Sequence, residues 1–222
     1  MRIGIRLTFA ALAVILAGCA HHDPAARGQS QRANDFEKMK DPPINAPTHF
    51  AAGQLAESQG RLPQAADQYL RALAIRPKYL EAMYRLGIVY AQMKDYPRAI
   101  EAWNNYVTAT DGSAAAYSNL GFCHELAGDP AAAEASYKHG IARDAASEPC
   151  HINYGLMLAR QGRSGEALRQ LQTVLPPAKA HYDLASVYEI QGRKPEARAE
   201  YQKAVELDPQ LDDAKARLAA LN

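Results

Sequence analysis

Two cysteines are each followed directly by a histidine, at Cys123-His124 and Cys150-His151, and thiolate with imidazole is the donor set of a zinc or copper site. Zinc ligands normally come in close pairs such as Cys-x-x-Cys, whereas adjacent residues on a helix point about 100° apart, so neither doublet forms half of a site. His21-His22-Asp23 offers weak donors in a stretch that reads as solvated chain. The sequence has no Gly-rich phosphate loop, no Gly-x-Ser-x-Gly elbow and no His-Glu-x-x-His helix, and its acids are scattered rather than set beside a candidate base. These residues predict a protein that is not an enzyme, with no metal, no other cofactor and no small-molecule substrate.

The elements that must carry these residues repeat. Gly53, Gly87, Gly121 and Gly155 recur every 34 residues and Ala185 follows after 30, a period that marks stacked helical hairpins. Around them recur Leu86, Tyr90, Ala99 and Trp103; Leu120, Gly128, Ala133 and Tyr137; Leu158, Gly162, Ala167 and Leu171; and Leu184, Tyr188, Gly192, Ala197 and Tyr201. Gly60, Gly128, Gly162 and Gly192 fall where a first helix must end in a left-handed residue. Pro63, Pro97 and Pro195 fall where a second helix starts and a missing N–H costs nothing.

This pattern resembles the tetratricopeptide repeat (TPR) over about four-fifths of the chain. The resemblance implies an all-α, right-handed superhelix of five helix-turn-helix units, at 46–79, 80–113, 114–147, 148–177 and 178–211, with a capping helix at 212–222. The fourth unit is four residues short and ends in Leu175-Pro176-Pro177, so its second helix should stop early. In this register Cys123 is at position ten of its unit and Cys150 at position three of the next, about 10 Å apart along parallel axes. That argues against a shared metal or a disulfide and favours two buried apolar cysteines. His49, His151 and His181 share position four, and neighbouring helices hold such positions roughly 8–10 Å apart, so they read as packing histidines.

The amino terminus carries a different message. Met1 to Arg6 is basic, Leu7 to Ala17 is an apolar run of eleven, and about 20 residues are needed to span a bilayer, so residues 1–18 read as an export signal. Leu16-Ala17-Gly18-Cys19 resembles a bacterial lipobox, which implies cleavage before Cys19 and covalent lipid on its thiol. Each buried methylene of such chains contributes about 0.8 kcal/mol to anchoring. Ala20 stands where Asp would resemble an inner-membrane retention signal, so the resemblance implies the periplasmic face of an outer membrane. Residues 19–45, with Asp41-Pro42-Pro43, read as a flexible tether with a short helical turn around Asp35 to Lys40, and its reach is roughly 28 Å.

Charge narrows the partners further. The chain has 25 basic and 24 acidic residues, and removing Arg2 and Arg6 with the signal would leave it slightly acidic, without the basic stripe that nucleic acid requires. A hydrophobic fraction of 48% with 22% charged residues is that of a folded domain.

In the resembling family the concave groove is lined by positions two, five, six, nine, twelve and thirteen of each first helix. Here these include Phe50, Gln54, Tyr84, Arg85, Ile88, Ser118, Asn119, Phe122, Ile152, Asn153, Leu156, Tyr182, Asp183, Ser186 and Glu189. The expected peptide-binding groove is Tyr84, Ile88, Asn119, Phe122, Asn153, Leu156 and Tyr182, the asparagines offering amides to a ligand backbone. Tyr84, Ile88 and Phe122 occupy places where chaperone-binding members clamp a terminal carboxylate with Lys and Asn, which disfavours that ligand. Lipobox and repeats together resemble the lipoproteins that assist outer-membrane assembly, the pilotins of type IV pili and the TPR lipoproteins of Tad pili. The expectation is a membrane-anchored scaffold that holds a segment of an envelope protein. Two rivals stay open: a metal-binding or enzymatic protein using the Cys/His doublets, and a passive spacer.

Overall fold

The computed structural model describes residues 44–221, and among these the chain forms eleven helices and no strand. They pair as hairpins: α1 (Ala46–Ser58) with α2 (Leu62–Ile75), α3 (Leu80–Gln92) with α4 (Tyr96–Ala109), α5 (Ala114–Leu126) with α6 (Pro130–Arg143), α7 (Glu148–Arg160) with α8 (Ser164–Val174), and α9 (Pro177–Ile190) with α10 (Lys194–Leu207). A final helix, α11 (Asp212–Ala220), packs on α10. The export signal, lipid site at Cys19, tether as far as residue 43 and turn at Asp35 to Lys40 expected from the sequence lie outside the described residues.

Local signals set the helix ends. Asn45 caps α1 by accepting the Thr48 N–H at 3.0 Å, and Asp129 caps α6 by accepting that of Ala132 at 2.9 Å, each satisfying a donor that the first turn leaves free. Proline occupies the first turn of α2, α4, α6 and α10, the one part of a helix that does not need its N–H. Gly128 closes α5 with φ at 79°, and the next N–H, of Asp129, returns to the His124 carbonyl at 2.9 Å. Lys94 holds the equivalent place after α3 with φ at 59°, and Asp95 makes the same return bond to Tyr90.

The hairpins close on a small residue facing a large one. Position eight of the first helix carries Gly53, Gly87, Gly121 or Gly155, directly beneath Tyr69, Trp103, Tyr137 or Leu171 of the second. In the fifth unit Ala185 and Tyr201 are both fully buried at the same positions. Each large side chain that is removed from water in this way stabilises the stack by about 1.5–3 kcal/mol. The buried residues form two main clusters, one from Ala56 to Cys123 and one from Ala133 to Ala214, so the core runs along the stack as neighbour-to-neighbour contacts.

The fourth unit is the irregular one. Helix α8 has 11 residues where α2, α4, α6 and α10 have 14. The chain leaves it extended at Leu175, and Pro177 opens α9 one residue before the expected boundary at 178. At the far end α11 buries Ala214 and lays Leu218 and Leu221 against the second cluster, covering a face that a sixth unit would otherwise occupy.

Candidate interaction groove

The first helices, α1, α3, α5, α7 and α9, present the positions expected to line a groove, and the structure gathers them into separate clefts. Phe50, Gln54, Tyr84 and Arg85 line the first, with Leu80 and Tyr106, around a volume of about 510 Å³. Ile88, Asn119 and Phe122 line the second, of about 260 Å³, against Trp103. Ser186 and Glu189 line a third, of about 340 Å³, with Ile190, Tyr201 and Arg217.

The seven expected groove residues fall into two groups. Tyr84 and Phe122 are the open ones, with 37% and 48% of their surface exposed. Tyr84 is nonetheless held, its ring meeting Trp103 edge-on at 5.3 Å and Tyr106 at 5.7 Å. Ile88 and Asn119 are half-buried at the rim of the second cleft. The others turn inward. Asn153 donates its amide to Ser118 Oγ at 3.0 Å, tying α7 to α5. Leu156 packs on the second core cluster, and Tyr182 lies 5.5 Å from the Tyr201 ring with the Lys179 ammonium 4.3 Å above its own. A groove-lining position is thus also a packing position, within its hairpin for Tyr182 and between repeats for Asn153, and which role it takes depends on the neighbouring side chain.

Position twelve carries functional-looking residues that the sequence reading named only in the fifth unit. Glu57, Glu125 and Glu189 each accept a hydrogen bond from the tyrosine twelve residues later: Tyr69 at 2.7 Å, Tyr137 at 2.6 Å and Tyr201 at 2.7 Å. Each acid also meets an arginine from beyond its own unit: Glu57 lies 3.2 Å from Arg85, Glu125 pairs with Arg160, and Glu189 lies 3.5 Å from Arg217. Burial, then the Glu57 carboxylate, pushes the Tyr69 phenol up to about 12. Burial raises Tyr137 further still, with Glu125 adding to it. For Tyr201 burial again leads, the Ser186 hydroxyl opposes and Glu189 adds, leaving the phenol at about 12. All three hydroxyls therefore remain donors at neutral pH. The signal was legible as Glu-x₁₁-Tyr in the odd-numbered units.

The position-four histidines form a second repeated device. His49 and His151 each place Nδ1 2.8 Å from a glutamine nineteen residues on, Gln68 and Gln170, and His181 does the same with Glu200 at 2.6 Å. His151 is buried, and its Nε2 lies 3.1 Å from the Ala145 carbonyl oxygen. Each histidine latches the two helices of its own hairpin. Cys123 and Cys150 are both buried and unbridged. The Cys150 thiol donates to the Ala114 carbonyl at 3.2 Å, and burial raises the Cys123 thiol to about 11. Among the described residues no three His, Cys, Asp or Glu side chains converge in a metal-binding cluster, and no helix is long and apolar enough to cross a membrane.

Comparison with known proteins agrees with this architecture. Four family models, each described as a TPR or tetratricopeptide repeat, match residues 53–94, 84–149, 149–173 and 178–211. Human tetratricopeptide repeat protein 7B is 27% identical over 105 residues, a stretch that is 47% of this chain but only 12% of that protein. Among solved structures, the MamA protein superposes with a TM-score of 0.59 at 22% identity, covering 76% of this chain and 94% of its own. YrrB, described as a TPR protein with an unusual peptide-binding site, gives 0.53 at 21% identity, covering 84% of this chain and 96% of its own. At these identities the likeness to the solved structures is one of fold. With the 34-residue period, the small-over-large hairpin closures and the matched models all in agreement, this chain belongs to the tetratricopeptide-repeat family.

Proposed function

We propose that this protein is a non-catalytic scaffold, exported and anchored to a membrane through lipid on Cys19, that binds a segment of an envelope protein along the concave side of its first helices. The observation that carries the binding role is the pair of open clefts around Tyr84 and Phe122, where large apolar side chains stay exposed while the other aromatic residues among those described are mostly packed. An exposed apolar patch with polar rims is the mark of an interaction site. The description of YrrB as a peptide-binding TPR protein supports the same reading by analogy of fold.

Anchoring rests on the residues around Cys19 alone. Together with the repeats it favours a part in assembling a pilus, a secretion complex or an outer-membrane complex. The test has two arms. Crosslinking from membranes should recover a partner with the wild-type protein and lose it with the double variant Y84A/F122A; an unchanged set of partners would place the site elsewhere. Metabolic labelling with an alkyne fatty acid should mark the wild type and not Cys19→Ala, and equal labelling would remove the anchor.

A further inference from the structure

Positions twelve and twenty-four face each other across every hairpin, and this chain alternates what it puts there. Units one, three and five carry the Glu and Tyr pairs described above, whereas unit two carries Ala91 with Trp103 and unit four Ala159 with Leu171. In unit four the exchange is filled, since Ala159 and Leu171 are both fully buried. In unit two it is not. Ala91 stays half-exposed, and the room that a carboxylate and its partners take elsewhere is left as the notch of about 260 Å³ between Ile88, Trp103, Phe122 and Leu126.

We infer that this notch takes one large apolar side chain, of the Phe, Leu or Met class, from the segment bound in the groove. The inference rests on the binding role proposed above and adds the chemistry that the groove selects. Volume decides the size of the guest: pockets for whole small molecules run to about 300–1,000 Å³, so this one suits a single side chain. Charge decides its type. No Asp, Glu, Lys, Arg or His lines the notch, and the acids of the flanking units are already paired, Glu57 with Arg85 and Glu125 with Arg160. An ionised side chain would lose its hydration with nothing to meet it. The amides of Gln92 and Asn119 also line the notch and offer hydrogen bonds to the peptide backbone on either side of the anchor.

Trp103 is the only tryptophan of the chain, so its emission reports the notch directly. The full chain would be titrated with capped nonapeptides of serine and glycine bearing Phe, Leu, Lys or Glu at the centre. Phe and Leu peptides should shift Trp103 emission saturably and bind roughly ten- to a hundredfold more tightly than the Lys and Glu peptides, as burial of one such side chain implies. Ala91→Leu, which fills the notch, and Ala91→Glu, which restores the acid of the odd units, should each abolish that preference while circular dichroism shows an unchanged helical fold. Phe122→Ala, at a position about half exposed, should weaken the Phe peptide at least tenfold and guards against a folding defect at position 91. No saturable response to Phe or Leu, equal affinity for Lys or Glu, or an unaltered preference in the filled variants would overturn the inference. Partner crosslinking separates the two readings: capture that survives Ala91→Leu but is lost in Y84A/F122A overturns the notch alone, and capture that survives both overturns the groove as well.

Discussion

Gly121 lies directly beneath the ring of Tyr137, so close that a Cβ on it would sit 2.6 Å from Tyr137 Cε1. This single relationship sets the distance between α5 and α6, because the ring is fully buried and its hydroxyl is fixed on Glu125. Nothing in the pair can retreat without breaking the bond or opening the core. Gly121→Ala should therefore destabilise the protein by about 1–3 kcal/mol through overpacking. Thermal unfolding checks it, with an expected fall of about 2–4 °C for each kcal/mol in a domain of this size.

Lys94 predicts a change of the opposite sign. It holds φ at 59°, the left-handed turn that Gly60, Gly128, Gly162 and Gly192 make in the other units. A residue with a Cβ costs about 1–2 kcal/mol there, partly offset by the greater chain entropy that glycine must lose. Lys94→Gly should raise stability by roughly 0.5–1 kcal/mol, measured as a higher denaturant midpoint with the same slope.

Glu134 gives a pH dependence with a definite direction. Lys138 at 2.6 Å, Arg163 at 2.8 Å and the Tyr154 hydroxyl at 2.7 Å hold its carboxyl at about 2, with Lys138 the largest influence. The folded value lies below the unfolded one of about 4.3, so the stabilisation is complete above the unfolded value and is lost as pH falls through the folded one. Glu134→Gln should cost about 1 kcal/mol at neutral pH, a figure already reduced for the exposure of Lys138. The difference from wild type should shrink between about pH 4 and pH 2 in parallel urea titrations.

The two buried thiols predict a chemical protection. Burial raises both, Cys123 to about 11, and only the thiolate reacts. Alkylation of Cys123 by iodoacetamide at pH 8 should be at least about a hundredfold slower in the native protein than in denaturant. Peptide mass mapping reads Cys123 and Cys150 separately from Cys19. Native-state labelling at the rate of the unfolded chain would show that α5 opens.

Much of the fold was legible in the sequence because each unit repeats the same local instructions. The spacing of Gly53, Gly87, Gly121 and Gly155, the prolines that open α2, α4 and α10 and the turn glycines each act within one hairpin, and 3.6 residues per turn suffice to place them. The short α8 was legible for the same reason, from Leu175-Pro176-Pro177. The site was legible only in part. Position numbers brought Ile88, Asn119 and Phe122 to one cleft, but they could not show that Asn153 would bond to Ser118 or that Tyr182 would lie against Tyr201.

By itself, then, the sequence determined the repeat, its register and the hairpin closures, all properties of residues close along the chain or periodic in it. Tertiary structure decided which lining residues stay open. That outcome depends on contacts between units, where Glu125 reaches Arg160 35 residues away and where Ala91, with no acid to fill its place, leaves the notch beside Trp103 unfilled. In the Cys/His doublets packing likewise buries both thiols and latches His151 onto Gln170, because a side chain's neighbours across the stack, more than those beside it in sequence, set its surroundings.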